Sequence, residues 1–296
     1  MFDPYLIKTF LLVCILETIL FFIIKKIGVY DQPSERKMHE NPKLTMGGLL
    51  FIVPFILIGG KEEVFRNVYT AIAFFLVIAV GIFDDLKGAT AKMKLGTQLI
   101  AGALLFFGGS GFTSFLGIEN IVVLFLLTIF YYASFINIIN LVDGADGLAV
   151  LLSTVIFSGL YSVSFLTPSG VMMFNIVICL LVFLIFNIKN SIIFMGDTGS
   201  NFLGFLMGML FLNAGFSDFT TNRFLPFILL IALPFFDTLF AIIRRIKNKK
   251  SILDADKKHI HHILIKKYNL NRALIIIVLL QVIFSFLGIR LYGVML

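Results

Sequence analysis

Three short stretches put carboxylates where an oily chain has least use for them. "GIFDDLKG" (81–88), "NIINLVDGADGLA" (137–149) and "FMGDTGS" (194–200) each run from an apolar segment into glycine and aspartate. In the second, Asn137, Asn140 and Asp143 recur every three residues, so one helical face is polar, and Asp146 follows. Gly144 and Gly147 let the backbone turn sharply or approach a ligand. Polar groups at membrane depth are costly and usually face a bundle interior, which favours a functional reading. Adjacent residues on a helix do not face each other, so Asp84 and Asp85 need not share a job. One can meet a metal while the other takes a proton or orients a lysine. Lys94 lies four residues before Gln98 on one helix face, suited either to snorkelling or to a phosphate contact. Asp197 reads either as the N-cap of a helix starting near Thr198 or as a carboxylate holding a divalent cation that bridges to phosphate.

Two basic stretches accompany these acids. "DADKKHIHHIL" (254–264) groups His259, His261 and His262. No cysteine or suitably spaced carboxylate supports zinc there, so an anion clamp over an acid-and-metal centre is the better fit. Lys247, Lys249 and Lys250 read as solvated loop residues. "PSERKMHENPKLTMGG" (33–48) joins Arg36, Lys37, His39, Lys43 and Thr45 to a glycine pair at a helix start, suited to a phosphate or lipid headgroup.

The elements that must position these groups are membrane helices. The chain has 296 residues, 59% of them hydrophobic and 14% charged, with mean hydropathy +1.02. Soluble globules carry about 25% charged residues. Continuous apolar runs of about 20 residues predict helical crossings, and their lack of alternation argues against a β-barrel. Ten spans are expected: 4–24, 46–60, 67–83, 95–109, 119–138, 147–166, 171–187, 198–214, 224–243 and 273–293. The first is long and lacks a basic leader, so it is expected to stay as a helix rather than be cleaved. All lysines and arginines except Lys8, Lys61, Arg66, Arg223 and Arg290 fall in alternate connections, 25–45, 84–94, 139–146, 188–197 and 244–272. The positive-inside rule places that face in the cytoplasm and both termini outside. The acids and all four histidines share it, so the net charge of +7 is topological and no nucleic-acid motif appears. Cys14 and Cys179 lie in apolar segments as small hydrophobes, and Gly204 and Gly208 form a GxxxG packing face. The whole is one all-α polytopic membrane domain.

Taken in order, the motifs resemble the polyprenyl-phosphate N-acetylhexosamine-1-phosphate transferase family. The resemblance rests on "PSERKMHENPKLTMGG", "GIFDDLKG" with "KLGTQ", "NIINLVDGADGLA", "IFNIKNSIIFMGDTGSNFLG", "LPFFDTLFAIIRR" and "DKKHIHHIL". It implies a ten- or eleven-helix bundle in the plasma or inner membrane with a cytoplasmic active site. It implies transfer of a sugar phosphate from a UDP-N-acetylhexosamine to polyprenyl (undecaprenyl) phosphate, with Mg²⁺ (Mn²⁺ as a substitute), release of UMP, and a homodimer. "HIHH" is similar to the branch using UDP-GlcNAc. The branch using UDP-MurNAc-pentapeptide has three consecutive histidines followed by Phe-Glu, whereas Ile260 and Ile263 interrupt and follow the run here.

By the same resemblance, Asp197 matches the principal metal ligand and Asn140 the motif that helps build its site. Asp84 and Asp85 match an acidic pair containing a base or metal neighbour, and Lys94 a phosphate contact. Asn187 and Phe194 match uridine-pocket positions, with Asp143 and Asp146 in the nucleotide-side motif. Asn137, Lys43 and Thr45 are further candidates for substrate binding. His259, His261 and His262 match the loop near the diphosphate and sugar. Asp237 and Arg244–Arg245 match a family motif to which the sequence assigns no role. The competing class is a cation or proton-coupled transporter. Carriers place ionisable groups near the midplane, whereas these lie at helix ends.

Overall fold

In lipid every backbone N–H and C=O needs an internal partner, so long uncharged apolar runs become helices. The computed structural model describes residues 4–31, 42–188, 192–249 and 259–294. Among them run α1 (Pro4–Ile27), α2 (Gly48–Phe55), α3 (Lys61–Val64), α4 (Val68–Lys87), α5 (Ala91–Phe107), α6 (Ile121–Val142) and α7 (Leu148–Ser164). They continue as α8 (Pro168–Asn187), α9 (Gly196–Phe211), α10 (Thr221–Leu230), α11 (Ala232–Lys247), α12 (Ile260–Tyr268) and α13 (Leu270–Val294). Wider π turns follow α2 (Ile56–Gly60) and α9 (Leu212–Phe216). The chain is an all-α, multi-pass membrane bundle. Among the described residues six helical segments are long and apolar enough to cross a bilayer: Tyr5–Ile27, Val68–Lys87, Ile121–Val142, Pro168–Asn187, Gly196–Phe216 and Leu270–Gly293.

Each expected span falls on a helix or a helix pair, but two are not single straight rods. The segment 46–60 is the eight-residue α2 running into a π turn, where Gly59 takes φ 144°. The segment 224–243 is broken: α10 and α11 meet at 91°. Pro234 has no N–H to give the Leu230 carbonyl four residues back. Gln281 of α13, fully buried, fills the gap. Its Nε2 donates to the Leu230 carbonyl at 2.9 Å, and its Oε1 accepts from Leu233 N–H at 3.0 Å. The break turns α11 across the end of the bundle, against α6 and α13.

The middle of the bundle is α9, in which every residue from Thr198 to Phe211 is buried. Phe202 sits among Phe51, Phe55 and Phe74, with ring centroids about 6 Å apart. The GxxxG face packs as expected: a Cβ on Gly204 would lie 2.5 Å from Ile136 Cα of α6. The outward face of α1 presents Phe10, Ile15, Ile19 and Phe22, as a lipid-facing helix should. Cys14 and Cys179 are free thiols.

Candidate active site

Two backbone segments set the floor of the end where these polar groups gather. Phe194 N–H donates to the Leu44 carbonyl (2.7 Å), Gly47 N–H to the Phe194 carbonyl (2.9 Å) and Gly48 N–H to the Met195 carbonyl (2.8 Å). This ladder brings the N-termini of α2 and α9 side by side, so closely that Gly48 has no room for a side chain beside Gly199.

The start of α9 is capped from another helix. Asp85, in the last turn of α4, accepts from Asp197 N–H (2.8 Å), Thr198 N–H (3.2 Å) and the Thr198 hydroxyl (2.6 Å). The alternative in which Asp197 caps α9 is therefore corrected: α9 begins at Gly196 and its orphan donors are taken by Asp85. The phosphate-attracting helix end is likewise already occupied by a carboxylate.

Freed from capping, Asp197 faces Lys94. The Lys94 ammonium lies between Asp197, in close contact, and Asp84 at 2.9 Å. Burial alone would lower the Lys94 pKa, but the two carboxylates outweigh it and raise it, so the ammonium stays charged. One turn further along α5, Gln98 pairs with Asn137 of α6 (2.6 Å), which bolts the lysine-bearing helix in place. Asn140 donates to the Ser200 hydroxyl at 3.0 Å, which keeps its amide beside Asp197. Asp143 follows at the end of α6. Burial, then the charges of Asp197, Asp85 and Asp146, push its carboxyl up to about 8. Four aspartates from three separate stretches thus share one electrostatic site with a single ammonium.

A second group adjoins it. Lys43 pairs with Asp146 at 3.0 Å and lies 4.7 Å above the Phe194 ring. Asn187, buried, accepts from Gly147 N–H (3.1 Å) and donates to the Ile193 carbonyl (2.9 Å). Both ends of its amide are committed to backbone, so it shapes the pocket beside Phe194 rather than offering a free amide. Thr45 is buried in the same floor, its N–H donating to the Val29 carbonyl.

The histidines close the site from the start of α12. His261 lies over Gly144, where a Cβ would come 2.6 Å from its Nε2. Its ring stacks with that of His259, 5.7 Å between centroids, and meets that of His262 at a tilt, 4.2 Å away. Burial, then the charge of His262, lower the His261 pKa to about 4, so this imidazole is neutral. Asp237 holds His259, a contact that sequence reasoning missed; the only signal was an aspartate inside the apolar turn "PFFDTLF". Arg245 is 6% exposed, and its Nε has no partner among the described residues. Arg36, Lys37, His39 and Lys250 lie outside the described residues.

A divalent cation fits this donor set. Among the described residues no three histidine, cysteine, aspartate or glutamate side chains form a ready metal cage. Mg²⁺ does not require one: it takes one or two carboxylates and fills its octahedron with water and substrate phosphate. Asp84 and Asp197 face one ammonium between them, and the charge left over is what such an ion would neutralise. Asp197 is the carboxylate that would hold it, with the Asn140 amide beside it.

The sequence profile described as Glycosyl transferase family 4 matches residues 67–215. A probable undecaprenyl-phosphate N-acetylglucosaminyl 1-phosphate transferase of Bacillus subtilis (strain 168) is 35% identical over 273 residues, covering 86% of this chain and 75% of the relative. The chain belongs to glycosyl transferase family 4. A decaprenyl-phosphate N-acetylglucosaminephosphotransferase of Mycolicibacterium smegmatis is 29% identical, over 87% of this chain and 73% of the relative. An undecaprenyl-phosphate alpha-N-acetylglucosaminyl 1-phosphate transferase of Escherichia coli (strain K12) is 27% identical, over 90% and 77%. The family 4 profile spans α4 to α9 and so contains Asp84, Asp85, Lys94, Asn140, Asp143 and Asp197. The histidines and Asp237 lie beyond it, on the elements that this glycosyl transferase folds back over the acidic centre.

Proposed function

We propose that this membrane transferase moves N-acetylglucosamine-1-phosphate from UDP-GlcNAc to undecaprenyl phosphate, or a similar polyprenyl phosphate, releasing UMP. The names of the relatives above support the substrates. The observation that carries the reading is the Lys94 ammonium held between Asp84 and Asp197 at the mouth of an acid-rich site. Both substrates are phosphate anions, so the main tasks are charge neutralisation and alignment. Asp197, with Asn140 beside it, would hold Mg²⁺, which would neutralise charge on the diphosphate.

The reaction is a single displacement. An oxygen of the acceptor phosphate forms a bond to the sugar-linked phosphorus, and the bond from that phosphorus to the UMP oxygen breaks, UMP leaving with the electron pair. The acceptor is a phosphate monoester with a second pKa of about 6, so it arrives largely ionised near neutral pH. Lys94 stays protonated and steadies charge on the diphosphate. Asp84 aims Lys94. Asp85, held by three donors at the start of α9, supports the site rather than attacking phosphorus. Phe194, with Lys43 and Asp146 beside it, offers a ring for the uracil.

The proposal includes ten crossings with both termini outside, the active end in the cytoplasm, and a homodimer. Cysteine labelling at Lys87 and at Glu119 in intact and opened cells tests the sidedness, and light scattering in detergent tests the dimer. The decisive assay is UMP release in detergent with UDP-GlcNAc, undecaprenyl phosphate and Mg²⁺. Release with UDP-GlcNAc and none with UDP-MurNAc-pentapeptide is the expected result. Release with the pentapeptide donor alone would reassign the branch, and ion movement in liposomes without UMP release would reassign the class.

A further inference from the structure

Asp237 is 5% exposed on α11, between Phe235, Phe236, Leu239 and Phe240. A carboxylate there requires a reason, because burying one without partners is costly. Its two oxygens are both used. Oδ1 accepts from Ile260 N–H at 2.8 Å, and Oδ2 lies 2.8 Å from His259 Nδ1. The first contact satisfies an orphan donor at the start of α12, whose N-cap residue His259 makes no side-chain cap of its own. The second fixes a ring that is only 3% exposed.

An ionised carboxylate only accepts, so the proton in that contact belongs to His259 Nδ1. The other ring nitrogen, Nε2, is turned away from Asp237 and has no hydrogen-bond partner among the described residues. The ring stands in line with His261, nearly parallel at an interplanar angle of 12°, and His261 covers Gly144 next to Asp143. A single buried carboxylate on α11 therefore sets the tautomer of His259 and the seat of the helix that carries the other two histidines. The 91° break before α11 is what lets it reach them.

We propose that Asp237 is a positioning residue for the transfer reaction, holding His259 as the Nδ1–H tautomer so that the bare Nε2 can take the last proton of the acceptor phosphate. This rests on the transferase reading above. Asp237 itself does not touch substrate. Its work is done through His259, which meets that proton with a lone pair, the resulting imidazolium being held by the Asp237 carboxylate.

The test uses the full chain in detergent with ¹⁵N-labelled histidine. Four histidines are present, and His259 is assigned as the signal lost in His259→Gln. The wild-type spectrum is expected to show His259 protonated at Nδ1 and bare at Nε2. In Asp237→Asn the amide still accepts from Ile260 N–H but donates to Nδ1, so the proton moves to Nε2. The same variant is expected to lose about 10²-fold in kcat, the lower range for a misplaced acid–base group, while KM for UDP-GlcNAc stays within about threefold. Added to His259→Gln, it should cost less than about twofold more, since groups acting as one unit are not additive. A purely structural aspartate would instead give additive losses and unchanged nitrogen signals. The proposal is overturned if wild-type His259 carries its proton on Nε2, or if Asp237→Asn keeps kcat within about threefold. Should Asp237→Asn not insert, the wild-type spectrum and the His259→Gln rate decide it, and a His259→Gln kcat within about threefold of wild type overturns it. A wild-type protein that releases no UMP removes the transferase reading, while the nitrogen spectrum still reports on the tautomer.

Discussion

At its start α4 joins one polar network, and about 30 Å further along its axis it joins another. At the first end Arg66 reaches Glu63 (3.1 Å), the Gly108 carbonyl (3.1 Å) and the Ser110 hydroxyl (2.6 Å). Asn213 also donates to Glu63, and Asn67 closes a capping box with Thr70 while donating to the Gly108 carbonyl. One acid meets one base, and the remaining contacts are to backbone or to neutral side chains. At the other end Lys94 lies between Asp84 and Asp197, with Asp85 and Asp143 close to Asp197. Both ends are partly buried and both tie distant helices together. Only the second carries charge that the described residues leave uncompensated. A balanced network explains itself as a clasp, whereas an unbalanced one implies a charged guest.

The difference is sharpest in turnover. Asp197→Asn is expected to lower Mg²⁺-dependent UMP release by about 10³-fold, the scale reached when a preorganised electrostatic group leaves a water-poor site. The protein should still insert, because α9 is capped by Asp85 and not by Asp197. Near-normal rates in the purified variant would take Asp197 out of the site. Lys94→Gln comes next, with a loss of about 10²-fold. It also leaves Asp84 and Asp197 facing each other without their shared cation, so its melting temperature should fall more in EDTA than in Mg²⁺. An equal fall in both buffers would mean that the acidic end does not take up a divalent ion.

The opposite clasp should behave in the reverse way. Arg66→Ala strands Glu63, whose side chain is 10% exposed, while Arg66 itself is 36% exposed and so contributes less than a fully buried partner. A loss of about 1–3 kcal/mol in stability is expected, with UMP release unchanged within about twofold. A large drop in rate without a drop in stability would break the contrast between the two ends.

Much of this was readable before any coordinates. The apolar runs mark the helices because lipid leaves the backbone no alternative, and Gly204 and Gly208 mark where α9 meets α6. Asp84, Lys94 and Asp197 are legible as a group because glycine and carboxylate interrupt apolar runs on one face. What was not legible depends on partners far along the chain. Asp85 looks identical to Asp84 in sequence, and its capping role exists only through a helix start 112 residues away. Pro234 alone does not announce a 91° turn, since proline is tolerated early in a helix; Gln281, 48 residues beyond Leu233, is what makes the break stable. Asp237 reads as an oddity until His259 folds back onto it.

The smallest expected effect concerns pH, and it separates the two ends without any substrate. Asp143 is held up to about 8, first by burial and then by Asp197, Asp85 and Asp146, while an aspartate in the unfolded chain titrates near about 4. Between those values the native protein keeps a proton that the unfolded chain has lost. Stability from this group is therefore complete below about pH 4 and drains away as pH rises toward about 8. Asp143→Asn removes the dependence. In metal-free buffer its melting temperature should exceed that of the wild type by several degrees near about pH 8, with the two converging toward about pH 4. Arg66→Ala, at the balanced end, should instead run parallel to the wild type across the same window. Parallel curves for Asp143→Asn would show that the four aspartates do not feel one another, and that the two ends of α4 differ in composition alone.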